Sequence, residues 1–150
     1  VTTTLPLQPS SDPSTSVAVG VAAVGASGIL LGFAGLQVAL AAGAPLGEHV
    51  WGGTQERVLS DRMRVVAGGA AVVLTAAATV VVRRAGLVGR PAGWLAPATW
   101  GIAGYLALNT VGNVASTSSV ERIGFGSATA VASALTAVVA VRSPNAAVRR

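Results

Sequence analysis

Few residues in this chain carry side chains capable of chemistry, and most of them fall in two short polar segments. The first runs Gly43-Ala44-Pro45-Leu46-Gly47-Glu48-His49-Val50-Trp51-Gly52-Gly53. Glu48 beside His49 invites an acid–base reading, since imidazole titrates near neutrality and a carboxylate can orient it. Adjacent side chains usually point apart, however, and no nucleophile or oxyanion site accompanies the pair. His49 is the only histidine and there is no cysteine, so one chain lacks the ligands of a conventional metal site, and no metal or cofactor is expected. The glycines are not a phosphate loop either, because Gly-Lys-Ser/Thr is missing. With Pro45 fixing its own φ among so many glycines, the segment reads as a folded re-entrant or capping loop, with Trp51 in it.

The second segment, Ser116-Thr117-Ser118-Ser119-Val120-Glu121-Arg122, resembles a helix entry. Ser118 or Ser119 would cap the helix and Glu121 would favour its positive end. Arg62 and Arg64 precede another apolar run and are expected to pair with Asp61, Glu121 or a lipid phosphate. Inside the apolar stretches, Gln37, Asn109, Asn113 and Ser127 stand out. Tyr105, Asn109 and Asn113 recur every four residues and so share one helix face. A polar stripe against lipid would be costly, so that face should look inward. Its default role is an interhelical hydrogen-bond clamp, and its functional role would be the floor of a small polar cleft open to the outside.

The elements that must position these residues follow from composition. Charged residues make up 10% of the 150-residue chain and apolar ones 52%, whereas soluble domains are about a quarter charged. So little charge cannot cover a water-exposed surface. The expected fold class is all-α, a polytopic membrane four-helix bundle, with spans at about 17–42, 65–82, 97–115 and 123–141. Each span is near the roughly 20 residues that a helix needs to cross hydrocarbon. Val-rich as they are, the spans should be helices, because an isolated strand in lipid leaves its backbone groups unpaired. Residues 1–16, rich in Ser, Thr and Pro, read as a disordered tail, and 143–150 as a short basic tail. Ala39-Leu40-Ala41 looks like a signal-peptidase site, but no basic residue precedes the run and it is too long, so the span is expected to stay.

Every basic residue is arginine, and with abundant Ala, Gly and Val this suggests a high-GC, actinobacterial-type genome. The arginines sit at the ends of apolar runs, which is how orienting charges look and not how a nucleic-acid footprint looks. Arg83, Arg84, Arg90, Arg142, Arg149 and Arg150 fall on one side with the single acid Asp12. Arg57, Arg62, Arg64 and Arg122 fall on the other, offset by Glu48, Glu56, Asp61 and Glu121. Both termini are therefore expected in the cytoplasm of a cell-membrane protein, with Trp94 and Trp100 in the inner aromatic belt. Helix packing in lipid relies on small residues. Gly25, Gly28, Gly32 and Gly35 in the first span and Gly101 and Gly104 in the third are expected at helix contacts, within the chain or in a homo-oligomer.

The pattern Ala42-Gly43-x-Pro45-x-Gly47, then Gly52-Gly53, then Leu59 and Arg62 or Arg64, resembles a family of small, uncharacterised bacterial four-span membrane proteins. Asn113 and Ser118-Ser119-Val120-Glu121-Arg122 match its later segment, where a Trp usually stands at the position of Val120 and a Pro follows. The resemblance covers about residues 30–125 and implies architecture rather than activity. Three function classes follow. The first is a non-enzymatic membrane component that binds a partner protein or lipid through its outer loops. The second is a small oligomeric transporter or channel with an outward polar cleft, against which the spans offer no ionisable residue. The third is a membrane enzyme using Glu48 and His49. The partners expected are the lipid bilayer and a membrane protein or second copy, and no nucleic acid.

Overall fold

The computed structural model describes residues 13–90 and 92–143, all of them helical or connecting, with no strand among them. Four long helices follow one another: α1 (Pro13–Ala41), α2 (Asp61–Arg84), α3 (Leu95–Val114) and α4 (Gly126–Arg142). α4 is entered through one π-helical turn, Val120–Phe125. α1 packs along α2, α3 along α4, and α1 against α4.

Helix α1 begins at Pro13, inside the segment expected to be a disordered tail. Proline suits a first helical turn, because its missing N–H has no intrahelical partner anyway. Positions 1–12 and the basic tail from 144 onward lie outside the described residues. α2 extends past its apolar run at both ends, taking in Asp61-Arg62-Met63-Arg64 and Arg83-Arg84. These charges sit where the macrodipole favours them only in part: Asp61 at the start and the arginine pair at the end.

Two apolar clusters hold the helices together. The larger joins Ala22, Ala23, Ala26 and Leu30 of α1 to Ala78 and Val81, Leu106, and Ala132 and Val139. The smaller, at the opposite end, joins Leu40 and Ala67 to Val50 and Leu59 of the first loop. Small side chains at the contacts let the helix backbones approach closely, and here they are alanines.

The glycines expected to do this largely do not. A Cβ added at Gly25 would lie 3.0 Å from Leu135, a true close contact. At Gly28, Gly32, Gly35, Gly101 and Gly104 it would meet nothing within 4 Å, so the expectation of intramolecular packing is corrected there. The reason is helical phase. The inward stripe of α1 is Ala22-Ala23-Ala26-Leu30-Ala34, and the three later glycines fall opposite it, among exposed Val21, Val24, Leu31 and Val38.

Outward-facing apolar side chains dominate. Of the most apolar window of α2 only 22% is buried, and Val65, Val72 and Val73 all stand exposed. Three helices are long and apolar enough to cross a membrane: Ser16–Ala41, Asp61–Arg84 and Val120–Arg142. α3 has the length but is diluted by Pro97, Tyr105, Asn109 and Asn113, and it falls outside that set.

Candidate functional site

The connection between α1 and α2 folds back over the helix ends as two short 3-10 turns, Gly47–His49 and Trp51–Gly53. Gly47 is required by close approach: its N–H donates to the Arg57 carbonyl at 2.9 Å, and a Cβ there would overlap the Glu56 carbonyl oxygen. Val50 and Leu59 plug into the apolar cluster beneath, so the loop is a packed cap. Trp51 has φ of 50°, in the left-handed region that non-glycine residues seldom occupy, followed by Gly52 and Gly53 at φ of 82° and 71°. That succession turns the Gly52 N–H toward the start of the last helix.

Glu121 receives it. The Gly52 N–H donates to Glu121 Oε2 at 2.8 Å, and the Ser116 hydroxyl donates to the same oxygen. Thr117 returns the link by donating to the Gly52 carbonyl at 2.8 Å. Ser118 accepts from the Glu121 N–H at 3.5 Å, so one of the two expected capping serines is in place, whereas Ser119 makes no side-chain cap. Glu121 stands in the first turn of this helical segment, where the positive end of the dipole favours it, and it is buried there, only 4% exposed. The helix starts before Glu121, which is carried inside on the π turn; such turns recur at functional sites.

Beneath this latch lies a cavity of about 290 Å³. Its polar side is made by Gln37, Trp51, Asn109, Asn113, Glu121 and Thr129, and its apolar side by Phe33, Leu36, Val73, Leu74, Leu106 and Phe125. Phe33 and Phe125 meet edge to face, with ring centroids 5.4 Å apart. Glu121, Phe125 and Thr129 repeat every four residues on the last helix, as Tyr105, Asn109 and Asn113 do on α3, so two helical stripes face each other. Thr110 and Thr129 bridge the two helices at 3.0 Å, and Asn113 reaches Thr129 at 3.4 Å. Of the expected clamp only Asn113 reaches another helix: Asn109 bonds back to the Tyr105 carbonyl of its own helix, and Tyr105, expected to look inward, stands exposed at the cavity's edge.

The structure thus gathers Gln37, Trp51, Tyr105, Asn109, Asn113 and Glu121 around one space and leaves the other candidates outside it. Glu48 and His49 do contact each other, with 3.6 Å between Oε1 and Nε2, but on the surface, about half exposed. Arg64 anchors α2 to α1 by donating to the Ala41 carbonyl at 2.8 Å, and it sits 3.6 Å from Asp61. Arg62 and Arg122 are exposed, and neither lines the cavity. Neither Arg62 nor Arg64 pairs with Glu121.

Three members of the site escape sequence reasoning. Ser116 and Gly52 hold the carboxylate through a contact between two loops, which no local pattern announces. Thr129 could have been found, since it stands eight residues after Glu121 on the same helical face. No family model matches the chain, and no curated protein or solved structure matches it either.

Proposed function

We propose that this chain is a four-span integral membrane protein that binds a lipid-like amphiphile in the capped cavity, without catalysing a reaction on it. The observation that carries this reading is the grading of the cavity wall. Carboxylate, amide and indole groups collect under the loop, and phenylalanine, leucine and valine continue below them. Ligand sites are mostly apolar concavities with a few convergent polar groups, commonly of roughly 300 to 1,000 Å³. This one lies at the small end of that range.

α3 is assigned as the fourth crossing because its two asparagines, Asn109 and Asn113, lie on the cavity wall while Leu108 and Val111 stand outward. Arginine placement then orients both termini to the cytoplasm and the capped cavity to the outside. Residues 17–142 form the membrane domain, and the architecture is that of the small bacterial four-span proteins that the loop pattern resembles. Released from detergent in a mass spectrometer, the protein should carry one amphiphile per chain. Leu74→Trp, which fills the cavity, should remove it. Recovery of the intact chain from cytosol without detergent would contradict the reading, as would an undiminished adduct in Leu74→Trp.

A second reading is favoured by Glu121 itself. A carrier coupled to an ion requires an ionisable residue inside the protein, and the helix holding Glu121 places one on the cavity wall. Gradient-driven uptake into proteoliposomes that disappears in Glu121→Gln would select this reading over simple binding.

A further inference from the structure

The binding reading leaves open what head the amphiphile carries, and the hydrogen bonds around the cavity narrow it. The Asn109 amide nitrogen donates to the Tyr105 carbonyl at 3.0 Å, which engages one of its two N–H groups. Thr129 donates its own hydroxyl hydrogen to the Phe125 carbonyl at 2.8 Å. It can therefore only accept from Asn113, which must turn its nitrogen to Thr129. Both amides are left with an oxygen to offer.

Gln37 adds a third acceptor. Its Oε1 is buried, lines the same space and has no hydrogen-bond partner. A buried polar atom without a partner costs on the order of 1–3 kcal/mol, so it marks a place where a donor belongs. Glu121 is a fourth. Both bonds from Gly52 and Ser116 converge on Oε2, and none is made by Oε1. Among the described residues no arginine or histidine pairs with this carboxylate. Trp51 and Tyr105 supply aromatic rings at the mouth, and ring faces attract cations.

A slot for the tail adjoins this polar end. A purely apolar groove of about 240 Å³ shares Val73, Leu74 and Tyr105 with the cavity and continues between α2 and α3 past Ala98, Gly101 and Ile102. Gly101 has no neighbour within 4 Å of a hypothetical Cβ, so the groove is open there.

Resting on the amphiphile reading above, we propose that the occupant is a single-chain cation, a long-chain ammonium. Its N–H groups are held by Glu121, Gln37 and the asparagine oxygens, and its alkyl chain lies in the α2–α3 groove. A phosphate or sulfate head would be brought against the Glu121 carboxylate, with no cation beside it to offset the repulsion, and is disfavoured. A neutral alcohol satisfies one acceptor and leaves the carboxylate unbalanced.

The test is saturable binding of tritiated dodecylamine to the full chain in phosphatidylcholine nanodiscs, with unlabelled dodecanol and dodecyl sulfate as competitors at matched membrane mole fraction. Dodecylamine should displace the label about tenfold better than either competitor, as expected when a desolvated ion pair is added. Glu121→Gln keeps an acceptor for Gly52 and Ser116, and should weaken amine binding about tenfold while leaving dodecanol unchanged. Gly101→Phe should shift preference toward butylamine. If dodecanol matches dodecylamine within about twofold, or dodecyl sulfate wins, the cationic head is wrong while the amphiphile site stands. If no probe binds saturably, both fall. Should Glu121→Gln fail to fold, Gln37→Leu and Asn109→Leu decide the matter. Neither residue takes part in the latch, and an unchanged amine preference in both overturns the proposal.

Discussion

At one end of the helices Arg84, 3% exposed, donates to the Ser143 carbonyl at 2.8 Å and so ties the end of α2 to the end of α4. At the other end Glu121 accepts from Gly52 and Ser116 and ties the first loop to the start of the last helix. Each is a buried charge that satisfies backbone groups left over where helices stop or begin. Their surroundings differ. Arg84 sits beside the larger apolar cluster, close to Ala85 and Val81, and lines neither the capped cavity nor the α2–α3 groove. Glu121 borders open space and keeps one oxygen outside the latch. The comparison teaches that the same device closes one end of the molecule and furnishes the other with a usable group.

Substitutions can break that contrast. Glu121→Ala should have the largest effect, because it strands the Gly52 N–H and the Ser116 hydroxyl together. A loss of roughly 2–4 kcal/mol is expected, since bonds to charged groups contribute about 1.5–3 kcal/mol each and stranded partners add to the cost. Unfolding in micelles would measure it, and amphiphile binding should be lost as well. Arg84→Met should cost about 2 kcal/mol, its hydrogen bonds being partly replaced by packing. Binding should be unaffected. A binding defect in Arg84→Met would erase the distinction between the ends.

Packing predictions are smaller. Gly25→Leu forces a side chain against Leu135 and should destabilise by about 1–3 kcal/mol. Gly32→Leu points away from the chain and should stay within about 0.5 kcal/mol. A much larger loss at Gly32 would mean that this face packs on a second copy. Smallest of all is Asn109→Leu, for which stability should hold within about 0.5 kcal/mol while amine binding weakens a few-fold, one of several acceptors having been removed.

Length and hydropathy made the helices legible, because about 20 apolar residues in a row leave the backbone little alternative. Their ends were less so. Asp61, Arg62, Arg64, Arg83 and Arg84 are charged and fall outside the apolar run, yet they are helical, since a helix end can project charge beyond an apolar layer. Tyr105, Asn109 and Asn113 were legible as one face from their spacing. Glu121 falls outside the span that hydropathy defines, because a carboxylate reads as exposed until its partners, Gly52 and Ser116, are brought to it from elsewhere in the chain. The choice of alanine over glycine at the contacts depends on helical phase relative to neighbours, which one sequence does not specify.

The most direct test of the account is to map where an amphiphile lies. A dodecylamine carrying a diazirine midway along its chain, photolysed with the protein in nanodiscs, should label Leu74 and Ile102 on the walls of the α2–α3 groove, and unlabelled dodecylamine should suppress that labelling. Labelling confined to outward positions such as Val24, Val65 and Val131, with no competition, would show that the cavity holds no such ligand.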